Sequence, residues 1–268
     1  MARQDETIYQ MLAEVEQKGE GGAVCTIIRS RGSTPRHTGS KMLVYPDGHF
    51  TGTVGGGEVE ARVIREALNA LQDGQPRLLS YDMVNPAQGD PGVCGGQLEV
   101  YVEPIMPHPT LLIIGGGHVG KAVAHLAHWL DFRVAVSDDR VEFCSPEANP
   151  DADAFYPVKM GDLPGQMRIT PQTYIVLTTR GVTVDTEGLP PLLDSPAGYI
   201  GVIGSKRRWA MTRKALLEAG MAEEKVDRVH SPIGLELNAE TPEEIAVSIL
   251  AEIIMLRNGG TGQPMKME

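Results

Sequence analysis

An α/β fold, in which an N-terminal α+β domain precedes a Rossmann-like doubly wound parallel-sheet domain, is what this sequence predicts, and three observations predict it. The apolar run Leu111–Ile114 leads straight into Gly115-Gly116-Gly117-His118-Val119-Gly120, a G-x-G-x-x-G turn that opens a helical pattern. That fingerprint stands in mid-chain, behind a long stretch of different character. Between the two, Pro104, Pro107 and Pro109 remove backbone donors and bias the chain toward an extended conformation. The boundaries expected are therefore 1–103 for the first domain, 104–109 for a Pro-rich linker and 110–268 for the second.

In the first part, Ile8, Met11, Leu12 and Val15 recur at helical spacing between Glu6 and Lys18. The runs Ala23–Ile28 and Met42–Tyr45 read as strands, and Pro46-Asp47-Gly48 before Phe50 is a hairpin turn. After Gly55-Gly56-Gly57, the positions Val59, Val63, Ala67 and Leu71 mark a second helix that Asp73-Gly74 closes. Leu78–Met83 and Leu98–Val102 are two further strands around a turn-rich loop from Asn85-Pro86 to Gly95-Gly96.

Beyond the prolines, Leu111–Ile114, Val134–Val136, Ile175–Leu177 and Ile200–Ile203 are short continuous apolar runs of the kind buried in a parallel sheet. Helices are expected after Gly117, near Leu189 and over Arg207–Ala219. The last helix has the clearest start in the chain: Thr241 as N-cap, Pro242 at the first helical position and Glu244 completing a capping box. Ile245, Ile249, Leu250, Ile253 and Leu256 give it a wide apolar stripe for packing.

Composition narrows the function classes. A net charge of −11 over 268 residues, with no clustered Lys/Arg face, argues against nucleic acid as a partner. No run approaches the ~18 apolar residues of a membrane span, and the N-terminus lacks the pattern of a signal peptide, so a cytoplasmic protein with no membrane partner is expected. The 3 cysteines, Cys25, Cys94 and Cys144, are odd in number and widely spaced, which suits reduced thiols.

Several constellations can carry chemistry. Gly115 makes a tight turn, Gly117 lets a pyrophosphate approach the backbone, and Gly120 lets the helix pack on the strand. Asp138-Asp139-Arg140 follow the next strand about 20 residues on, where an acid reaches a ribose hydroxyl or an arginine meets a 2′-phosphate. His118 is placed to contact a ligand at the same turn.

Gly52 to Glu58, including Gly55, Gly56 and Gly57, and the loop Gly92-Val93-Cys94-Gly95-Gly96 offer successive N–H groups for an anion nest. Cys94 is the accessible thiol, flanked by glycines whose amides favour a thiolate suited to a soft metal or to sulfur transfer. Arg31-Gly32-Ser33-Thr34-Pro35-Arg36, with Gly39 to Met42 after it, gathers cations and hydroxyls in one loop, so Ser33, Thr34 and Arg36 are candidate anion contacts. His125 and His128 share a helix face without a third metal ligand.

Together, Gly32 to Arg36 with Gly39 and Met42, Gly55-Gly56-Gly57 with Glu60, Cys94-Gly95-Gly96, the Gly115 to Gly120 turn, Asp138-Asp139-Arg140, the run Tyr199 to Arg207 with Gly204 and Ser205, and Pro232 to Leu235 before Pro242 to Ala246 resemble the XdhC/CoxI family over almost the whole chain. The resemblance implies a maturation factor for xanthine dehydrogenase and related molybdenum hydroxylases. Such a factor binds the molybdenum cofactor (molybdopterin), supports its sulfuration by a cysteine desulfurase and delivers it to the client enzyme. It also implies that Cys94 is the leading contact to molybdenum or its sulfur ligands, and that the chain is a carrier rather than a catalyst.

Many CoxI-like members carry a cysteine where this chain has Gly57, so a two-thiol site is excluded unless Cys25 or Cys144 supplies the second sulfur. The stretch Thr178 to Asp185 lacks a histidine that some relatives show and is assigned only a binding role. A homodimer is the expected assembly. The rival reading is an NAD(P)-dependent oxidoreductase using the Rossmann-like part, with NAD(P) or another nucleotide as cofactor; a nucleotide-sensing scaffold without catalysis is the third.

Overall fold

A computed structural model describes residues 2–17, 20–83 and 95–265 of the protein. It divides into two compact units, Met1–Pro107 and His108–Glu268.

The first unit is a five-stranded sheet in the order β3-β2-β1-β5-β4, every neighbour antiparallel. Its strands are β1 (Gly22–Arg31), β2 (Lys41–Val44), β3 (Phe50–Gly52), β4 (Arg77–Asp82) and β5 (Gln97–Ile105). Alternate side chains of a strand point to opposite faces, and β1 uses both. Ala23, Cys25 and Ile27 face α2 (Gly57–Asp73), where Val59, Val63, Ala67 and Ala70 complete a core, while Val24 and Leu43 meet Ile8 and Val15 of α1 (Ala2–Gln17) on the other side. Gly74 caps α2 in the left-handed region at φ 69°, as Asp73-Gly74 requires.

The second unit is a six-stranded, wholly parallel sheet in the order β11-β10-β9-β6-β7-β8. The strands are β6 (Thr110–Ile114), β7 (Arg133–Ser137), β8 (Ala154–Tyr156), β9 (Thr173–Leu177), β10 (Tyr199–Val202) and β11 (Val229–His230). Renumbered from β6, this is the doubly wound order 3-2-1-4-5-6, with its switch point between β6 and β9. Leu111, Ile113, Val134, Val136 and Val176 pack under α3 (His118–Trp129) and α7 (Pro242–Asn258). Leu112, Ile114, Ile175, Leu177 and Ile200 pack under α4 (Val182–Leu193) and α5 (Lys206–Glu218) on the opposite face. A short α6 (Glu223–Val226) precedes β11. No helix among the described residues is long and apolar enough to cross a membrane.

Three details differ from the sequence expectation. Pro104 is not in a linker but in β5, opposite Ala23; β4 begins at Arg77 opposite Val102, so at Pro104 that side of β5 has no strand to be deprived of an N–H. Strands β8 and β11 are edge strands of three and two residues, too short to show an apolar run. The stripe on α7 stops at Ile253: Leu256 is 44% exposed, and the buried face includes Ser248 and Glu252 among the isoleucines.

The α7 capping box forms as expected, with Thr241 Oγ1 accepting from the Glu244 N–H at 3.2 Å and Glu244 Oε2 accepting from the Thr241 N–H at 3.1 Å. Thr241→Ala should therefore destabilise the second unit by about 1 kcal/mol. Urea denaturation followed by circular dichroism measures it, and a variant as stable as the native chain would remove the box from the account.

Candidate functional site

In the first unit, loops far apart in sequence meet through glycines. A Cβ on Gly96 would lie 2.3 Å from the Ser33 oxygen and 2.7 Å from both the Arg31 oxygen and Thr34 Cγ2, so only a residue without a side chain allows this approach. A Cβ on Gly32 would lie 3.1 Å from the Gly95 oxygen, and one on Gly55 would lie 2.8 Å from Pro35 Cγ. The base of the β4–β5 connection is closed by hydrogen bonds from Gly95 N–H to the Met83 oxygen (2.6 Å) and from Met83 N–H to the Gly96 oxygen (2.9 Å).

The loop Arg31 to Arg36 is held from within by Thr34 Oγ1, which donates to the Arg36 carbonyl at 2.8 Å. Arg31, Ser33 and Arg36 are exposed, and neither guanidinium has an ion-pair partner among the described residues. Cys94 and most of the loop before it lie outside the described residues.

The expected anion nest at Gly55 to Gly57 is partly filled by the chain itself. Glu60 Oε2 accepts from Thr53 Oγ1 at 2.6 Å and from the N–H groups of Val54 and Gly56 at 3.3 Å each, and Thr53 Oγ1 accepts from the Gly55 N–H at 3.1 Å. A carboxylate one helical turn into α2 reaches back over the glycines and satisfies the donors that a phosphate would have taken. Glu60 is thus a brace for the loop, and the N–H groups of Val54 and Gly56 are already taken.

The other cysteines are structural. Cys25 is fully buried and its thiol is pushed up to about 12 by burial. Cys144 is 4% exposed, donates to the Val136 oxygen at 3.3 Å, and is also raised by burial. Neither offers the second thiolate of a two-thiol site. Among the described residues, no group of three or more His, Cys, Asp or Glu side chains is placed to hold a metal ion.

In the second unit the glycine turn has the geometry its spacing predicts. Gly115 sits at φ 112°, and a Cβ there would be 2.8 Å from the Thr178 oxygen; a Cβ on Gly120 would be 1.9 Å from the Gly115 oxygen. Gly117 is the N-cap of α3 and faces open space, with no side chain satisfying the helix N–H groups.

Asp138 does not present its carboxylate as the ribose reading expects. Oδ2 accepts from Gly116 N–H at 3.0 Å and from Arg140 Nη2 at 2.8 Å, while Oδ1 accepts from Arg140 N–H at 3.0 Å and Nε at 2.9 Å. Burial raises its pKa, but the hydrogen bonds from Arg140 and Gly116 outweigh burial and hold it below the usual carboxylate range. Asp139 is exposed and lies 3.5 Å from Arg180, a surface pair of little energetic weight.

His118 also departs from expectation. It lines a groove between α3 and α7 with Lys121, His125 and Pro242, on a different side of the helix from the crevice at the strand ends. Gly204 and Ser205 serve α5: Ser205 caps it by accepting from the Arg208 N–H at 3.2 Å, and the space a Cβ of Gly204 would need is taken by Arg208 Cδ at 2.9 Å. Arg208 in turn donates to Thr179 Oγ1 at 2.8 Å and to the fully buried Asp185 at 2.6 Å, so the stretch Thr178 to Asp185 is clamped to α5.

One network had no signal in the sequence beyond a lone acid in an apolar helix. Glu252 of α7 accepts from Tyr199 Oη at 3.0 Å and from the Gly234 N–H, and is hydrogen-bonded to His230 Nδ1 at 3.0 Å; the Tyr199 and His230 rings stack at 4.7 Å. Burial raises the Glu252 pKa, yet these partners bring it below its ordinary value. The network fastens the segment Pro232 to Leu235 onto α7, where Ser248 Oγ donates to the Leu235 oxygen.

Gly96→Ala forces backbone atoms apart at Ser33 and Arg31, and should cost about 1–3 kcal/mol of first-unit stability in urea denaturation; an unchanged midpoint would contradict the close approach. Asp138→Asn should cost about 1–3 kcal/mol near neutral pH. Because the folded pKa lies below the ordinary 3.8, the carboxylate's contribution is present above that value and is lost as pH falls through the folded pKa. Native and variant stabilities measured at stepped pH should therefore converge in acid; a constant gap would count against it.

Known proteins match both units of the chain. The XdhC and CoxI family matches residues 15–82, and the XdhC Rossmann domain matches residues 111–253. The chain is 38% identical over 257 residues to the protein YqeB of Escherichia coli (strain K12), covering 95% of this chain and 47% of that protein. It is 32% identical over 158 residues to a probable xanthine dehydrogenase subunit of Bacillus subtilis (strain 168), covering 59% of this chain and 46% of that one. The chain thus spans about half the length of these two relatives.

Over 280 residues it is 24% identical to the molybdenum cofactor insertion chaperone PaoD of Escherichia coli (strain K12), covering 94% of this chain and 88% of PaoD. The crystal structure of a xanthine dehydrogenase from Bacillus halodurans shares the fold with a TM-score of 0.51 at 23% identity, over 94% of this chain and 96% of that one. Two matched units in the expected order make this chain a member of the XdhC family.

Proposed function

We propose that this chain takes the molybdenum cofactor as cargo and serves in the maturation of a xanthine-dehydrogenase-type molybdenum hydroxylase, supporting the cofactor's sulfuration with a cysteine desulfurase and its insertion into the client. The observation that carries this reading is the convergence of the Arg31 to Arg36 loop, Gly55 and Gly95-Gly96 in one place, with Cys94 next in the chain to Gly95. Membership of the XdhC family and the likeness to PaoD support it.

The chemistry fits the cargo. A molybdenum centre with sulfur ligands is soft and suits a cysteine thiolate, and with Cys25 and Cys144 buried that role is left to Cys94. The cargo's phosphate suits a guanidinium fork, which Arg31 and Arg36 supply unpaired among the described residues. Backbone donors contribute less than the sequence suggests, because Glu60 occupies them.

Anaerobic incubation with the isolated cofactor, gel filtration and fluorescence of the oxidised pterin measure retention. Cys94→Ala should lower retention at least about tenfold, and Arg36→Ala about threefold to tenfold, the worth of one strong contact and one solvated charged contact. Retention unchanged in both variants overturns the proposal.

A further inference from the structure

The cargo reading leaves a built cavity in the second unit unused. At the carboxyl ends of β6, β7 and β9, where the strand order reverses, a crevice of about 340 Å3 is bordered by Gly115, Arg140, Lys159, Thr179 and Arg180. This is where open α/β sheets take their ligands, and the volume lies at the low end of the ~300–1,000 Å3 of ligand pockets, room for one nucleotide rather than two.

The group that would ordinarily read a ribose diol there is already spent. A carboxylate has about four acceptor positions, and Asp138 receives four donors, one from Gly116 and three from Arg140, with its side chain only 4% exposed. A diol could bind it only by breaking bonds that also hold the glycine turn.

Arg140 is in the opposite situation. Of the roughly five N–H donors of a guanidinium, Nε and one on Nη2 go to Asp138, and Nη1 has no hydrogen-bond partner among the described residues. Its Cζ lies 3.9 Å from the Phe143 ring centroid, so the fork is held in a fixed plane. Lys159 lines the same crevice, exposed and unpaired among the described residues.

The carboxylates of the crevice limit where an anion can sit. Asp138 is compensated by Arg140 and Asp139 by Arg180, while Asp162 and Glu187 belong to the wall built by the 3-10 turn Met160–Gly165 and α4. In this lining Lys159 has no ion-pair partner and Arg140 keeps Nη1 without a hydrogen-bond partner among the described residues, and these are the groups left for an anion.

We infer that this crevice binds a nucleotide whose ribose bears a second phosphate, a monoester of its 2′- or 3′-hydroxyl, with Arg140 and Lys159 reading that phosphate. A phosphomonoester offers oxygens in the planar arrangement a guanidinium edge matches, which an unsubstituted ribose does not.

Isothermal titration of the full chain with adenosine 2′,5′-bisphosphate, adenosine 3′,5′-bisphosphate, 5′-AMP and inorganic phosphate tests this. At least one bisphosphate should bind about tenfold or more tighter than 5′-AMP, the worth of a charged hydrogen bond. Arg140→Gln should bring that bisphosphate to the level of 5′-AMP. Lys159→Gln, which breaks no contact within the described residues, should weaken the bisphosphate about threefold or more and leave 5′-AMP unchanged. Binding of 5′-AMP as tight as the bisphosphates, inorganic phosphate competing equally well, equal losses for all ligands in Lys159→Gln, or no nucleotide binding at millimolar concentration would each overturn the inference.

Discussion

The loops of this protein depend on carboxylates that the chain turns inward onto its own backbone. A glycine turn exposes N–H groups that need acceptors, and a carboxylate removed from water needs donors; either left alone costs several kcal/mol. Here each answers the other. Glu60 takes the N–H groups of Val54 and Gly56, Asp138 takes that of Gly116, and Glu252 takes that of Gly234. Asp185 does the corresponding work through side chains, binding Thr179 and Arg208. The low pKa values of Asp138 and Glu252 are the electrostatic trace of these bonds, since hydrogen bonding to the charged form outweighs burial in both.

This arrangement changes which groups remain for ligands. Backbone nests, the natural anion sites of glycine-rich loops, are partly consumed. Arg31 and Arg36 in the first unit, and Lys159 and the outer edge of Arg140 in the second, stay unpaired among the described residues. Recognition by guanidinium is directional and bidentate where a nest is permissive. Gly117 is the exception, a helix N-cap facing open space with its turn still available.

How much of this was legible in the sequence follows from the range of the interaction concerned. Local patterns read well: the α7 capping box, the αL cap at Gly74 and the approach of Gly120 to Gly115 all depend on neighbours within a few residues. The glycine loops were legible as places where the backbone needs freedom, and Gly96 against Ser33 bears that out sterically. Which acceptor fills a loop was not. Glu60 lies four residues from Gly56 but Asp138 is 22 from Gly116, and Glu252 is 18 from Gly234, so spacing names the acid without naming its partner. His118 shows the same limit at the scale of a helix: its position after the glycines is clear, while the side of α3 it faces is set by packing against α7.

The cysteine inventory sharpens what remains. Cys25 and Cys144 are committed to cores as protonated thiols, so the soft-ligand role in the proposed function rests on Cys94. The resemblance to CoxI-like proteins places a second cysteine at the position of Gly57, and here the space a Cβ would occupy is open, with no atom within 4 Å. Sterics therefore do not explain the missing thiol. The backbone does oppose it: Gly57 has φ 61°, where a side chain costs on the order of 1 kcal/mol, and it opens α2 immediately before Glu58 and Glu60, whose charges disfavour a neighbouring thiolate. Under the proposed function, a single cysteine contact would hold a soft centre through one bond, which favours release over retention.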